Sequence, residues 1–134
     1  MNIIPQLHHC EIGKDKCLIP EVIAVDVGDF SAISSDVFQN RIQRPLIEGS
    51  FLQLHRNTEL DEEGYKISIE PARIVIESSS DSGVIFALTT LSFLMVDTSM
   101  PCLKISDQPK YPYRGLSVDC ARHFYPVDEI KKVI

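Results

Sequence analysis

The sequence predicts an α+β domain that extends to about Gln108, followed by a strand, a loop and the start of a helix. Two patterns predict the domain. Residues Tyr65–Glu70 alternate between apolar and polar side chains, as a strand with one buried face does. Residues Gly83–Leu94 place their apolar side chains at helical spacing. The composition then changes to a proline-containing linker, which predicts a new structural unit after Gln108.

Composition and charge limit the classes of protein that this chain could be. It has 134 residues, and its hydrophobic fraction of 44% and charged fraction of 24% are typical of a globular domain. The formal net charge of −6 argues against nucleic acid or an anionic membrane surface as a partner. No apolar run reaches the roughly 18 residues that a membrane-spanning helix needs. No secretory signal is present, which predicts a cytoplasmic location, with a secreted or surface parent protein as the alternative.

The cysteines and histidines match no metal-binding pattern, so we expect neither a metal nor a cofactor. No CxxC pair occurs, and no histidine has a cysteine or histidine three or four residues after it. In a reducing cytoplasm the cysteines are expected to be free thiols, whereas a secreted chain would allow two disulfides. The residues concerned are Cys10, Cys17, Cys102 and Cys120.

The sequence of the first half of the domain predicts two strands with a helix between them. Val22–Val25 is a β-rich run that ends at the Gly28-Asp29 turn signal. Ser31–Gln43 is predicted as a helix that Pro45 stops. Its apolar stripe consists of Ile33, Val37, Phe38 and Ile42. Phe51–Leu54 predicts the next strand.

The second half predicts a hairpin and a helix that packs on it. An acidic loop over 57–64 leads into the alternating strand Tyr65–Glu70. Pro71-Ala72 then turns the chain into a second strand, Ile74–Ile76. The following residues, Ser78-Ser79-Ser80-Asp81, supply capping oxygens for the next helix, whose apolar face consists of Val84, Ala87, Leu88, Leu91 and Leu94. That helix should pack on the hairpin and its neighbours, which include a further strand over 103–106.

The stretch after the linker opens a second unit. Tyr113–Asp119 is strand-like, and Pro126 fits the first turn of a helix. The chain ends at Ile134, soon after that helix begins, so we expect a piece of a longer protein.

The order of side chains in this last stretch resembles the opening strand of the catalytic barrel of glycoside hydrolase family 20, the β-N-acetylhexosaminidases. The residues that carry the resemblance are Tyr113, Arg114, Gly115, Leu116, Asp119, Ala121, Arg122, His123 and Phe124. Upstream, Glu63–Ile69 and Gly83–Leu94 look like the small domain that precedes this barrel. The resemblance implies a small α+β domain over 1–108, with a mainly antiparallel sheet and about two helices on one face. It also implies the first strand and helix start of an incomplete TIM barrel over 109–134.

The resemblance implies an activity for the parent protein. Family members remove terminal N-acetylglucosamine or N-acetylgalactosamine from glycans with retention of configuration, and the substrate's own acetamido oxygen is the nucleophile. A glutamate protonates the leaving oxygen, and a neighbouring aspartate steadies the acetamido group. That Asp-Glu pair lies far downstream in the family. Neither Asp61-Glu62-Glu63 nor Asp128-Glu129 has its context, so we assign no catalytic residue and expect this chain alone to be inactive.

Arg114 matches the family's arginine that holds the sugar hydroxyls at positions 3 and 4. A guanidinium suits that role because it presents a planar fork of donors. Asp119, Arg122 and His123 match the same motif. In one interpretation, these residues hold the substrate-binding side chain in place without touching the sugar. In the other, they form an ion pair or a buried hydrogen-bond network that closes the first βα unit, and we favour this second interpretation.

Two further expectations concern partners. N-acetylhexosamine-terminated glycans are the expected partner of the parent protein. The alternative function is a free-standing, non-catalytic structural or glycan-binding module. Residues beyond about Pro112 lack the barrel that they should pack against, so we expect poor order there or self-association of the chain through exposed apolar surface.

Overall fold

The structure, a computed structural model, describes residues 6–117, 119, 121 and 124–132. Its centre is one seven-stranded sheet with two helices packed on it, which confirms the α+β class. The strands are β1 (His9–Leu18), β2 (Ile23–Asp26), β3 (Leu46–Glu48), β4 (Leu52–Arg56), β5 (Tyr65–Glu70), β6 (Arg73–Ser78) and β7 (Ser99–Asp107). The helices are α1 (Ser35–Ile42), α2 (Asp81–Leu94) and the short α3 (Val127–Lys131), and a 3₁₀ turn covers Gly28–Phe30.

The sheet is mixed, with the strand order β1-β7-β5-β6-β4-β2-β3. The pairings β1–β7, β7–β5 and β5–β6 are antiparallel and cover most of the paired residues. The pairings β6–β4, β4–β2 and β2–β3 are parallel. Because parallel neighbours need a crossover, α1 connects β2 to β3 across one face of the sheet.

The predicted hairpin is present as β5 and β6. Glu70 pairs with Arg73, so Pro71-Ala72 forms the turn, and an ion pair of 2.8 Å joins the two side chains. The inward-facing residues of β5 are buried, whereas Lys66 is exposed. The alternation in the sequence therefore marks the buried face of the sheet correctly.

Both helices cover that buried face. α2 packs on β5 and β6, and α1 packs on α2. The largest fully buried side chains are Phe30, Ile23, Leu52, Ile67, Ile74, Ile76, Leu88, Leu91 and Val84. Each large aliphatic side chain in such a core contributes about 1.5–3 kcal/mol before ordering entropy is subtracted.

Helix α1 is shorter than the sequence predicts. It begins at Ser35, because Ser34 has extended backbone angles (φ −65°, ψ 148°). It ends before Pro45, at Gln43, which takes a left-handed conformation (φ 54°) and donates its N–H to the Gln39 carbonyl at 3.0 Å. Phe38 and Ile42 are buried as predicted.

Two edge strands were not predicted from the sequence. β1 is polar, and Cys17 is its only buried residue, so no apolar alternation marks it. The register of its pairing with β7 shifts between Ile12 and Lys16. β3 has three residues and none of them is buried, which leaves it below the length at which a periodic pattern can be recognised.

The strand expected over 113–119 is absent from its described residues, 113–117 and 119. A strand needs a neighbour to accept and donate its backbone hydrogen bonds. Among the described residues, none of the seven strands of the sheet pairs with this segment. α3 begins at Val127, next to the predicted Pro126.

The described cysteines are free thiols whose pKa is raised by burial. Cys10, Cys17 and Cys102 are free thiols. Burial raises the pKa of each thiol, and the nearby Cys102 further raises the pKa of Cys17. Cys120 lies outside the described residues.

A buried hydroxyl network ties both ends of the domain to α2. The Tyr65 hydroxyl donates to Asp107 Oδ2 at 3.0 Å and accepts from Thr90 Oγ1 at 2.6 Å. On the other carboxylate oxygen, Asp107 accepts the backbone N–H of His8 at 3.1 Å and lies 2.8 Å from His8 Nδ1. Burial is the main cause that raises the pKa of Tyr65, a residue that is 3% exposed.

A glycine allows α2 to approach the sheet closely. A Cβ at Gly83 would lie 2.6 Å from the Gly64 carbonyl oxygen and would overlap Ser78 Oγ. The Gly83 N–H donates to Ser80 Oγ at 3.2 Å, which caps the helix as the sequence predicts. Only glycine therefore fits at this position of the first turn.

Replacing Tyr65 by Phe should lower the free energy of unfolding by about 1–3 kcal/mol, because Asp107 and Thr90 lose a buried partner. The pKa of Tyr65 is raised above its ordinary value of 10.0, so the unfolded chain ionises at this tyrosine before the folded chain does. The resulting contribution to the free energy of unfolding is fully present below pH 10 and is lost as the pH rises above that value. Urea unfolding from pH 8 to 11 should therefore show a smaller loss at high pH in Tyr65→Phe than in the wild type. Tyr113→Phe, at an 87% exposed residue, is the control and should behave as the wild type does.

Replacing Gly83 by Ala should lower the free energy of unfolding by about 1–3 kcal/mol, because the added methyl group meets backbone that cannot move aside freely. Ser82→Ala, at an exposed residue in the same turn, is the matched control. Urea unfolding of both variants measures the difference. Equal stability of Gly83→Ala and Ser82→Ala would contradict the close packing described above.

Candidate functional site

The candidate site begins with an acidic loop that the next strand fixes in place. Three serines at and just after the end of β6, Ser78–Ser80, donate side-chain hydrogen bonds to the loop between β4 and β5. Their acceptors are, in order, the carbonyl oxygens of Gly64, Asp61 and Glu62. The first two of these hydrogen bonds are 2.9 Å long. Because the carbonyls lie on both sides of Glu63, β6 fixes the backbone that carries the Glu63 carboxylate.

Arg114, the residue predicted to bind substrate, contacts this loop. Its Nη2 lies 2.7 Å from Glu63 Oε1, and its Nη1 donates to the Tyr111 carbonyl. Its guanidinium carbon lies 5.6 Å from the centroid of the Phe86 ring, within the range of a cation–π contact. The linker, the acidic loop and α2 thus meet at one guanidinium.

The guanidinium keeps donors for a ligand. It has five N–H groups, and the two contacts with oxygen described here occupy one on each terminal nitrogen. The Arg114 side chain is 43% exposed, so the free donors are accessible. Because the Glu63 carboxylate already balances its charge, the site suits a neutral ligand with adjacent hydroxyls better than an anion.

The other predicted site residues give less information. Asp119 is exposed, and its carboxylate accepts the backbone N–H of Ala121 at 2.8 Å. Arg122 and His123 lie outside the described residues. Whether these three residues form one network therefore stays a prediction.

The two carboxylate runs in the sequence have other contacts. Asp61 and Glu62 contribute backbone carbonyls to the serine hydrogen bonds, and Glu63 contributes its side chain to Arg114. In α3, Glu129 pairs with Lys132 at 2.6 Å. We accordingly assign neither run a catalytic role.

Glu63 and Phe86 are the site residues that sequence reasoning missed. Glu63 is separated from Arg114 by 51 positions, and Phe86 lies in α2. The sequence marks Glu63 as part of a polar loop and Phe86 as part of a largely apolar helix. Neither signal predicts contact with the motif, because that contact depends on how the linker folds back.

A shallow groove separates the acidic loop from the linker. It is lined by residues 61–64 on one side and by Gln108, Pro109 and Pro112 on the other. A second groove lies on the polar face of the sheet, away from Arg114, and is lined by side chains of both charges, including Glu11, Lys66, Glu77 and Lys104. Across residues 6–117, 119, 121 and 124–132, no three His, Cys, Asp or Glu side chains are grouped so that they could hold a metal ion. None of the described helices is long and apolar enough to cross a membrane.

Two family models match the chain one after the other. "Glycosyl hydrolase family 20, domain 2" matches residues 1–108, and "Glycosyl hydrolase family 20, catalytic domain" matches residues 111–134. Among curated proteins, a β-N-acetylhexosaminidase of Cellulomonas fimi is 33% identical over 129 residues, which are 86% of this chain and 25% of that protein. An N,N'-diacetylchitobiase of Vibrio harveyi is 30% identical over 96% of this chain and 16% of that protein.

Solved structures have the same fold. A family 20 exo-β-N-acetylglucosaminidase from Vibrio harveyi, solved with N-acetylglucosamine, is similar with a TM-score of 0.83 and 29% identity, over 98% of this chain and 22% of that one. A β-N-acetylhexosaminidase from Bacteroides fragilis has a TM-score of 0.84 at 22% identity over 98% of this chain and 29% of that one, which supports the fold alone. The chain thus spans about a quarter or less of the curated relatives described here.

Proposed function

The chain belongs to glycoside hydrolase family 20, and we propose that it is the front part of an exo-acting β-N-acetylhexosaminidase that releases terminal N-acetylglucosamine or N-acetylgalactosamine from glycans. One observation carries the proposal: two models of that family match the chain in consecutive order, the second at the start of the catalytic domain. The N-acetylglucosamine in the Vibrio harveyi structure supports the choice of sugar.

Residues 1–108 are proposed to form the small domain, and residues 109–134 to open the catalytic barrel. The distribution of apolar surface supports this division. The core of the small domain is buried, whereas the segment after the linker leaves large apolar side chains uncovered by the described residues. These are Tyr113 (87% exposed), Leu116 (70%), Phe124 (81%) and Val127 (65%). Such side chains suit a segment that packs on further strands and helices of a barrel.

The proposed chemistry is substrate-assisted hydrolysis. The acetamido oxygen of the substrate bonds to the anomeric carbon while the bond to the leaving oxygen breaks, and a glutamate gives that oxygen its proton. Water then opens the cyclic intermediate with retained configuration. We place the required Asp-Glu pair outside this chain, so residues 1–134 alone should not catalyse the reaction.

Arg114 is proposed to hold the sugar hydroxyls at positions 3 and 4. Its accessible donors and planar fork fit two adjacent hydroxyl oxygens. Such contacts fix the ring relative to the catalytic groups, so Arg114 acts by orientation and transfers no proton. The carboxylate of Glu63 makes the neutral sugar a suitable ligand.

Activity on a chromogenic N-acetylglucosaminide tests the proposal. We expect no release by residues 1–134 and clear release by the complete gene product. Arg114→Ala in the complete gene product should lower kcat/KM by about 100-fold or more, because two hydrogen bonds from a charged donor, each worth ~1.5–3 kcal/mol, are lost.

Arg73→Ala is the control for that variant, because Arg73 is another exposed arginine paired with a glutamate. It should keep wild-type activity. Turnover by residues 1–134 alone would contradict the placement of the catalytic pair outside this chain. Binding of N-acetylglucosamine without turnover by the complete gene product would instead favour a non-catalytic glycan-binding module.

The uncovered apolar side chains should drive self-association of the isolated 134-residue chain. Sedimentation velocity across a concentration series should show dimers or larger species. A triple variant, Tyr113→Ser, Leu116→Ser and Phe124→Ser, should stay monomeric, because it removes exposed apolar area without touching the buried core. A wild-type chain that is monomeric at every concentration would contradict this expectation.

A further inference from the structure

We propose that the polar face of the sheet carries a binding site for the sulfate group of a sulfated glycan. The site lies in the second groove described above, which has a volume of about 320 Å³ and crosses β1, β7, β5 and β6. Helix α2 packs on the opposite face of the sheet, so the described helices leave this groove open. The site is independent of Arg114 and of the segment after the linker.

The strand register brings four hydrogen-bond donors together in the middle of the groove. Lys66 of β5 lies opposite Ser106 of β7, and Ser68 of β5 lies opposite Lys104 of β7. Opposite residues share a face of the sheet, as do residues two apart in one strand, so all four side chains emerge on the same side. The two lysines therefore occupy one diagonal of a square, and the two serine hydroxyls occupy the other. All four residues line the groove.

The ammonium groups of both lysines are available to a ligand. Lys66 and Lys104 are exposed. Among the described residues, neither ammonium group takes part in an ion pair or a hydrogen bond. Two cationic donors thus face one groove without a bonded partner.

Each lysine has a glutamate directly opposite it on the outer strand, Glu11 on β1 and Glu77 on β6. Opposite charges at such positions normally pair. Here each carboxylate has another partner instead. Glu77 Oε2 accepts from Asn57 Nδ2 at 3.1 Å, and Glu11 Oε1 lies 3.2 Å from His9 Nε2. The lysines are therefore left for an external anion.

The arrangement of donors fits a sulfate ester. Diagonal neighbours in an antiparallel pair are about 7–8 Å apart, which leaves room for one tetrahedral oxyanion between the two lysines. A sulfate ester offers three acceptor oxygens to separate donors, whereas a carboxylate offers two in one plane and suits the fork of an arginine better. The nearby glutamates reduce the positive potential, so a singly charged sulfate ester fits better than a doubly charged phosphate.

The rest of the groove suits a sugar that carries this group. The carboxylates of Glu11 and Glu77 can accept hydrogen bonds from sugar hydroxyls, and Val75 offers an apolar contact beside Ser68. The volume lies within the range of about 300–1,000 Å³ that is usual for small-molecule sites. The choice of a glycan as the carrier of the sulfate rests on the proposed function. A second site of this kind raises the local concentration of sulfated glycans near the protein.

Isothermal titration calorimetry of the 134-residue chain with N-acetylglucosamine 6-sulfate tests the inference. The wild type should bind this sugar, and it should bind unsulfated N-acetylglucosamine about tenfold more weakly or less. Lys66→Gln/Lys104→Gln should lower the affinity for the sulfated sugar about tenfold or more, because two charge-assisted hydrogen bonds are lost. Glu77→Gln should raise that affinity about threefold, because it removes a negative charge opposite Lys66.

The matched control is Lys14→Gln/Lys16→Gln, which removes the same two charges from exposed positions of β1 outside the groove. It should bind as the wild type does, and all variants should have the same melting temperature. Equal losses in the two double variants would show a general charge effect and overturn the inference. Equal binding of the sulfated and unsulfated sugars, or no binding of either at millimolar concentration, would also overturn it.

Two further ligands test the choice of sulfate. Glucuronic acid and N-acetylglucosamine 6-phosphate should bind more weakly than the sulfated sugar, and equal or tighter binding of either would contradict the assignment. The proposed function is tested separately by turnover in the complete gene product. If that protein is active and residues 1–134 do not bind the sulfated sugar, the inference is wrong and the proposed function stands. If the chain binds it as described and the complete gene product has no activity, the sulfate site stands and the proposed function fails.

Discussion

Because Gly83 carries no side chain, the first turn of α2 lies directly against the last residue of β6 and the backbone that precedes β5. This contact sets the depth at which α2 covers the sheet. It also places Ser78 where its hydroxyl reaches the acidic loop. The core beneath the helix and the loop that carries Glu63 therefore depend on the same few atoms.

The parts of the fold with strong local patterns could be predicted from the sequence. The alternation of β5, the turn at Pro71-Ala72 and the apolar stripe of α2 each follow from a regular spacing that the burial of one face requires. β1 could not be predicted, because an edge strand with polar residues on both faces has no such spacing. The segment over 113–117 shows the reverse case, since its strand-like sequence lacks the neighbours that a strand requires.

The candidate site was predictable only in part, for a related reason. Arg114 could be proposed from the sequence because the motif around it is local. Its contacts with Glu63 and Phe86 could not, because they join parts of the chain that are adjacent only after folding. The Arg114 guanidinium thus contacts the acidic loop and α2, as well as the nearby Tyr111 carbonyl.

The pairing of β1 with β7 brings His9 beside Ser106, so the first and last strands of the domain are neighbours. During synthesis on the ribosome, β1 leaves the exit tunnel long before its partner does. The hairpin of β5 and β6 can form early, because its contacts are local, whereas the sheet is completed only after Asp107 has emerged. The segment that carries Arg114 follows immediately. The seven-stranded sheet can therefore be fully folded soon after Asp107 has emerged, and residues translated later could pack on a surface that is already folded.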